Sequence, residues 1–217
     1  MGQTVTRTFD ILERIVNEFP REDALAGKKD GKWYRISTDE YFEKSHQFAL
    51  GLMALGLKKG DKVATVTTNR PEWNFADMGM SMTGVVHVPI YPTLGEDEYK
   101  YILKHAEVKV LIVGDKKLYE KLNPLTNMLG GVELIYAFEE IEGAKHYQEI
   151  LELGEANRDK YESALKELKQ SISPDDLATL IYTSGTTGVP KGVMLTQNNL
   201  VSNFTVHAKM HDLGKDH

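Results

Sequence analysis

The segment of this chain with the clearest chemical potential spans residues 182–193 and reads YTSGTTGVPKGV. It holds four Ser or Thr hydroxyls, three glycines and one lysine: Thr183, Ser184, Thr186, Thr187, Gly185, Gly188, Gly192 and Lys191. Glycine lets successive backbone N–H groups turn toward one anion, while hydroxyls and a lysine supply further donors. The segment therefore has the composition of a phosphate-binding loop.

The residues on either side of Lys191 distinguish this segment from a Walker phosphate loop. A Walker loop has a glycine directly before its lysine and a Ser or Thr directly after it, which holds magnesium. Here Pro190 precedes the lysine and Gly192 follows it. A polar turn that only joins two strands is the alternative without a function, because Gly and Thr are frequent in such turns.

Two apolar runs flank the segment and must hold it in place. Residues 177–182, LATLIY, and residues 192–196, GVMLT, both have the length and composition of strands. Upstream, Pro174 prevents a helix from continuing into the first run. Downstream, Thr196 can cap a helix over about residues 197–210. We therefore expect a strand, the loop, a second strand and a helix, in that order.

Alternating helices and strands precede this region. Strands are predicted over residues 63–68, 85–90, 109–113 and 133–137, and helices over 8–19, from Ser37 to Gly56, from Pro71 to Gly84, from Glu96 onward and over 116–122. An Asp-Gly turn joins residues 24–28 and 33–36 in a predicted hairpin. This alternation predicts an α/β fold with a largely parallel sheet flanked by helices.

Residues 147–170 are rich in charge and are predicted to be helical, with an interruption around Gly154. We expect them to form a solvated connector on the surface. Its buried stripe is expected to consist of Tyr147, Ile150, Leu151, Tyr161, Leu165 and Leu168.

Three histidines are candidates for chemistry. His87 lies in an apolar strand, where a hydrogen-bonded core or pocket-wall residue is expected more often than a base. His207 and His211 are four residues apart on one helix, but the zinc-protease pattern HExxH is absent because residue 208 is alanine. We expect that pair to be incidental, and no metal ligand is predicted.

The composition limits the classes of function. The 217 residues include 26 basic and 32 acidic side chains, so the net charge of −6 lacks the basic excess typical of nucleic-acid binders. The chain has no cysteine, which excludes disulfides, a thiolate nucleophile and zinc–thiolate sites. No run approaches the roughly 20 apolar residues of a membrane-spanning helix. We expect a soluble, cytoplasmic protein.

The string YTSGTTGVPKGV resembles the phosphate-loop signature of the AMP-forming acyl-CoA synthetases and their adenylate-forming relatives. This resemblance is what favours phosphate binding over a plain turn. Residues 60–63, 69–73 and 84–93 are similar to the N-terminal region of the same superfamily. Within them, NRPEW and PIYPT resemble the branch of long-chain fatty acid ligases. The resemblance covers the chain from about Thr8 to its end.

The resemblance implies a long-chain fatty acid–CoA ligase that works in two steps. Such enzymes join a carboxylate to ATP, giving an acyl-adenylate and pyrophosphate, and then transfer the acyl group to the thiol of coenzyme A. The implied partners are therefore small molecules (ATP, a fatty acid and coenzyme A) and Mg²⁺, with no nucleic acid. Peripheral contact with a membrane is compatible with such a substrate.

The resemblance also implies roles for the loop residues. Lys191 and Thr186 would be catalytic. The departing pyrophosphate would be held by Thr183, Ser184, Gly185, Thr186, Thr187, Gly188 and Lys191. No ligand for the magnesium ion is implied within this chain.

The chain is short for this family. We expect residues 1–217 to be an incomplete N-terminal domain, with an α/β region over 1–170 and the phosphate-loop segment and its following helix over 171–217. The family's ribose-binding aspartate, magnesium-associated glutamate and C-terminal adenylation lysine would lie beyond it, so the chain alone is expected to be inactive. Two alternatives stay open. One is a non-catalytic nucleotide-binding or anion-binding module that acts with a partner chain, and the other is an adenylate-forming ligase for a different carboxylic acid.

Overall fold

The computed structural model describes residues 5–29, 31–183 and 189–210, with the backbone alone for 207–210. Its strands are β1 (Leu25–Lys29), β2 (Lys32–Ile36), β3 (Lys62–Val66), β4 (Val86–Ile90), β5 (Val108–Val113), β6 (Leu134–Ala137), β7 (Lys145–His146), β8 (Leu177–Thr183) and β9 (Lys191–Thr196). Its helices are α1 (Thr8–Glu18), α2 (Thr38–Ala54), α3 (Pro71–Thr83), α4 (Glu96–His105), α5 (Lys116–Leu129), α6 (Gln148–Ala156), α7 (Arg158–Ser171) and α8 (Gln197–Met210).

Seven of these strands form one sheet in the order β7-β6-β5-β3-β4-β8-β9. Every neighbouring pair is parallel except β8 and β9, which are antiparallel and form a hairpin at one edge. The strands β1 and β2 form a separate antiparallel hairpin, as the Asp-Gly turn predicts. The predicted α/β fold with a largely parallel sheet is therefore confirmed.

Both faces of the sheet are covered, because strand side chains alternate between them. On one face, Ala64, Val66 and Leu111 pack with Ile102 of α4 and Leu122 of α5. On the other face, residues of α2, α3 and α6 form the core with the strands: Phe48, Leu52, Ala76, Met80, Ile150, Leu151, Val63, Val110 and Ile112. The parallel strands are thus buried on both sides.

Local signals in the sequence set several helix boundaries correctly. The Ser37 hydroxyl accepts a hydrogen bond from the Glu40 N–H at 3.1 Å and caps α2. Pro71 is the first residue of α3, and Gly84 ends that helix in the left-handed conformation with φ 66°. The Thr196 hydroxyl accepts from the Asn199 N–H at 3.2 Å, as a cap of α8 should.

The prediction for residues 147–170 is partly wrong. The interruption lies at Asn157, between α6 and α7, and not at Gly154. The predicted burial of Ile150, Leu151 and Leu165 is confirmed. Helix α6 is nevertheless not a solvated connector, because it packs closely against α2. A Cβ atom on Gly154 would overlap the backbone carbonyl oxygen of Gln47 in α2, so this glycine allows two helices to pack closely.

Helix α5 also differs from expectation. It continues past the predicted end at residue 122 as far as Leu129, with Pro124 inside it. Proline lacks an N–H, so the helix gives up one backbone hydrogen bond there. Buried Leu122, Leu125 and Thr126 show that packing against the sheet maintains the helix through this position.

Candidate functional site

The predicted loop is closed at its base by the hairpin of β8 and β9. The last pair of this ladder joins Thr183 to Lys191. Directly opposed residues of antiparallel strands carry their side chains on the same face, with Cβ atoms roughly 5 Å apart. Both side chains are exposed. The structure therefore brings together a hydroxyl and a lysine that the sequence assigned to one phosphate.

Five of the predicted site residues lie in the segment between these two, outside the residues that the structure describes: Ser184, Gly185, Thr186, Thr187 and Gly188. Their roles stay predictions. His211 and the side chain of His207 also lie outside the described part of the chain.

The hairpin opens at the carboxyl edge of the parallel strands. Strand β8 runs parallel to β4, and β3, β4 and β5 are parallel to one another. The carboxyl end of β8 therefore lies at the same edge as Thr67, Tyr91 and Gly114, which directly follow those strands. Open α/β sheets bind their ligands at this edge. The placement of Thr183 and Lys191 thus agrees with a ligand site.

The charge of Lys191 is not paired within the described part of the chain. Among the described residues, no carboxylate lies within ion-pair distance of its ammonium group, and none accepts a hydrogen bond from it. Lys59 is different, because its ammonium group lies 2.5 Å from Asp176 just before β8. Burial raises the pKa of Asp176, but hydrogen bonds from Lys59 and the Ser173 N–H outweigh it and leave that pKa below its usual range.

His87 is a core residue, as the sequence predicted, and it is only 2% exposed. Its Nδ1 lies 2.6 Å from Asp77 Oδ1, and its Nε2 lies 2.8 Å from Thr65 Oγ1. Trp73 Nε1 donates to the same Thr65 oxygen at 3.0 Å. Both ring nitrogens are therefore occupied. The Thr179 hydroxyl donates to the backbone carbonyl of His87 at 2.9 Å, so this chain of polar contacts extends to β8.

The motif NRPEW has a structural role that the sequence did not reveal. Arg70 Nη1 donates to the backbone carbonyl of Gly114 at 3.0 Å, and Arg70 Nε donates to Glu72 at 3.0 Å. The guanidinium also lies over the Phe138 ring, 5.1 Å from its centroid. Arg70 thus joins the segments that follow β3, β5 and β6. It fixes the edge of the sheet at which the hairpin opens.

A contact of Tyr182 with His105 was not predicted either. The hydroxyl oxygen of Tyr182 lies 2.6 Å from His105 Nδ1. Tyr182 precedes Thr183, and His105 is the last residue of α4. The two residues are 77 positions apart, and no local pattern connects them.

The described ranges contain neither a cluster of metal-binding side chains nor a membrane-spanning helix. Within residues 5–29, 31–183 and 189–206, no three His, Cys, Asp or Glu side chains are grouped so that they could hold a metal ion. None of the helices in the described part of the chain has the length and apolar character needed to cross a membrane.

The chain is similar to curated proteins that are named as fatty acyl-CoA ligases or synthetases. A long-chain-fatty-acid–CoA ligase, ACSBG2, from Xenopus laevis is 31% identical over 195 residues. Fatty acyl-CoA synthetase A from Dictyostelium discoideum is 35% identical over 190 residues. These alignments cover 88% and 83% of this chain but 26% and 27% of the relatives. The chain therefore spans about a quarter of the length of these proteins.

Solved structures share the fold at lower identity. The anthranilate CoA ligase AuaEII in complex with anthranoyl-AMP has a TM-score of 0.67 and 23% identity, over 88% of this chain and 34% of that one. The A-PCP didomain of carboxylic acid reductase from Segniliparus rugosus, in complex with AMP, has a TM-score of 0.66 and 21% identity. That match covers 90% of this chain and 32% of the didomain. These likenesses confirm the fold.

A family model decides the relationship of the whole chain. The model described as AMP-binding enzyme matches residues 12–216 and so includes both strands of the hairpin and the loop between them. This match confirms, for the family, the resemblance carried by YTSGTTGVPKGV. The chain belongs to the AMP-binding enzyme family.

Proposed function

We propose that this chain is the phosphate-binding part of a ligase that joins a long-chain fatty acid to coenzyme A and uses ATP to do so. Residues 1–170 would supply the α/β scaffold, and residues 171–217 the loop and its following helix. The names of the two curated relatives support the choice of acid. Neither NRPEW nor PIYPT is itself an acyl pocket, so the choice rests on this similarity.

The observation that carries the proposal is the pairing of Thr183 with Lys191 at the carboxyl edge of the sheet. A segment of seven residues, 184–190, spans from one to the other. Its ends are fixed by the ladder, so its backbone N–H groups can close around an anion between them. A phosphate at this place would meet the Thr183 hydroxyl and the Lys191 ammonium group, which has no carboxylate partner among the described residues.

Adenylate formation places a specific demand on these residues. A carboxylate is a weak nucleophile. When a carboxylate oxygen attacks the α-phosphorus, the bond from that phosphorus to the pyrophosphate breaks and negative charge moves onto the leaving pyrophosphate. Lys191 would balance this charge, while Thr183 and the loop hydroxyls of Ser184, Thr186 and Thr187 would donate hydrogen bonds to phosphate oxygens. Preformed donors of this kind both stabilise the developing charge and hold the triphosphate in line for attack.

Magnesium and coenzyme A belong to the proposal as partners of the reaction. Magnesium bound to ATP would supply further positive charge to the phosphates. The hydroxyls and the lysine of this chain suit the phosphate oxygens, and we assign no residue of the chain to the metal. The coenzyme A thiol would enter only after pyrophosphate has been formed.

Anion binding by the chain itself tests the first half of the proposal. Calorimetric titration with magnesium tripolyphosphate should show binding, and Lys191→Ala should weaken it. Lys166→Ala, at an exposed lysine of α7, serves as the matched control and should bind like the unaltered chain. Equal binding by both variants would contradict the assignment of Lys191.

The acid is tested in the complete ligase, meaning this chain joined to the remaining sequence of such an enzyme. With ATP, magnesium and coenzyme A, palmitate should give acyl-CoA faster than aryl, short-chain or amino acids do. A preference for one of those acids would retain the adenylate chemistry and overturn the choice of fatty acid. The chain of 217 residues alone should give no sustained acyl-CoA formation.

A further inference from the structure

The hydroxyl of Tyr182 is held by a histidine at the end of a neighbouring helix. Its oxygen lies 2.6 Å from His105 Nδ1, and one hydrogen bond joins the two groups in either tautomer of the imidazole. The rings meet edge to face, with centroids 5.8 Å apart at 88°. Tyr101 stacks on the same imidazole at 5.2 Å and 19°. The position of His105 is thus fixed independently of Tyr182.

The two partners differ in their exposure. Tyr182 is only 7% exposed and belongs to the core between the sheet and α4 and α5. Burial raises the pKa of Tyr182 above its usual value of 10.0, so the hydroxyl keeps its proton at neutral pH. His105, in contrast, is exposed. A buried ring therefore has its polar end fixed at the surface of the protein.

The same ring also lies across the other strand of the hairpin. Tyr182 is paired with Gly192 in the ladder. A Cβ atom on Gly192 would lie 3.2 Å from Tyr182 Cζ, which is closer than most packing contacts. Glycine therefore lets the ring rest on the backbone of β9. A side chain of the strand that enters the loop thus lies against the strand that leaves it.

These contacts lie one residue away from Thr183 and Lys191, the two residues that the proposed function assigns to the phosphate. Tyr182 precedes Thr183, and Gly192 follows Lys191. Successive side chains of a strand point to opposite faces, so the Tyr182 ring and the Thr183 hydroxyl lie on opposite sides of the hairpin. Tyr182 can fix the geometry of the site without touching the ligand.

We propose that Tyr182 and His105 are positioning residues of the phosphate loop. Their hydrogen bond anchors the last rungs of the hairpin to α4, so that Thr183 and Lys191 keep the spacing that the phosphates require. This inference rests on the proposed function of the loop. A phenylalanine would fill the same apolar space. The specific contribution of the tyrosine hydroxyl is therefore to orient the ring through its hydrogen bond to His105. Displacements of about 1 Å in a reacting site can lower its rate on the order of a hundredfold.

The test compares four single variants, one double variant and the Lys191→Ala variant in the complete ligase. Tyr182→Phe removes only the hydroxyl, and His105→Ala removes its partner. His105→Asn keeps a polar group close to the position of Nδ1. Tyr99→Phe is the matched control, because it removes a buried tyrosine hydroxyl from the same helix α4, where that hydroxyl donates to the Tyr91 carbonyl at 2.9 Å.

The measured quantities are the rate of adenylate formation, the rate of acyl transfer from preformed acyl-adenylate, and the thermal midpoint. Tyr182→Phe and His105→Ala should each slow adenylate formation about tenfold and leave acyl transfer unchanged. Their double variant should be no slower than either single one, and His105→Asn should restore most of the rate. Tyr99→Phe should lower the thermal midpoint as much as Tyr182→Phe does without slowing adenylate formation.

Several outcomes would overturn the inference. One is adenylate formation at the unaltered rate in Tyr182→Phe, and another is an equal loss in Tyr99→Phe. If Tyr182→Phe fails to fold, the comparison of His105→Asn with His105→Ala decides, and equal rates in those two refute the positioning role. If Lys191→Ala also leaves adenylate formation unchanged, the proposed function of the loop fails as well. If Lys191→Ala alone slows it, only the positioning role fails.

Discussion

Thr183 and Lys191 form the last pair of the antiparallel ladder between β8 and β9, at the carboxyl edge of an otherwise parallel sheet. The ladder fixes the ends of the seven residues between them, whatever path those residues take. The exposed Lys191 ammonium group, which has no carboxylate partner in the described structure, therefore lies beside the exposed Thr183 side chain at this edge of the sheet.

Lys191→Ala in the complete ligase should affect the two half-reactions unequally. Adenylate formation should fall roughly 10²–10³-fold, as when one preorganised donor to a developing charge is lost. Transfer from preformed acyl-adenylate to coenzyme A should change little, because pyrophosphate is absent from that step. Separate assays of the two half-reactions measure this, with Lys166→Ala as the control. Equal losses in both would show that Lys191 does not act on the pyrophosphate.

Gly154→Ala should destabilise the fold through a contact between helices. The added Cβ would overlap the backbone of Gln47 in α2, and a backbone cannot turn away as a side chain can. Overpacking of this kind costs roughly 1–3 kcal/mol, and occasionally more. Gly131→Ala is the control, because a Cβ there has nothing within 4 Å. Urea unfolding compares the two, and similar midpoints would argue against close packing of α2 and α6.

Asp10 should make stability depend on pH at the acid end. Burial raises the pKa of Asp10, but hydrogen bonds from the Arg7 side chain and from the N–H groups of Thr6 and Arg7 outweigh it. The pKa in the folded state is therefore below the usual 3.8. Its contribution is present above 3.8 and is lost as the pH falls through the lower folded value.

Asp10→Asn tests this dependence. At neutral pH the variant should lose roughly 1.5–3 kcal/mol of unfolding free energy, the range for hydrogen bonds to charged groups. The difference from the unaltered chain should shrink as the pH is lowered well below 3.8. Asp159→Asn, at an exposed aspartate in the first turn of α7, should differ little at any pH. A constant difference for Asp10→Asn would exclude an ionised Asp10 as the cause.

Much of the fold could be predicted from short-range signals, because caps and apolar runs act within a few residues. Ser37, Pro71 and Gly84 each mark a helix boundary through their own backbone or side-chain chemistry. The neighbours of each strand depend on distant contacts, so the place of β8 beside β4 could not be predicted. The prediction that the helix is interrupted around Gly154 was wrong for the same reason, since this glycine is required by its contact with α2, which is distant in the sequence.

The part of the candidate site that lies within one sequence motif could be predicted, and the residues that support it from distant segments could not. Thr183 and Lys191 belong to a single string, and the structure brings them together. His105 lies 77 residues from Tyr182 and has no sequence signal of its own. Arg70 lies within the quoted NRPEW motif, yet its contacts with Gly114 and Phe138 become visible only once the strands are placed in order.

The most direct test of the central claim is a crystal structure of the complete ligase with magnesium and a non-hydrolysable ATP analogue. The β- and γ-phosphates should lie within hydrogen-bonding distance, about 2.7–3.2 Å, of Thr183 Oγ1 and Lys191 Nζ. A triphosphate bound away from residues 183–191 would contradict the proposed role of the loop.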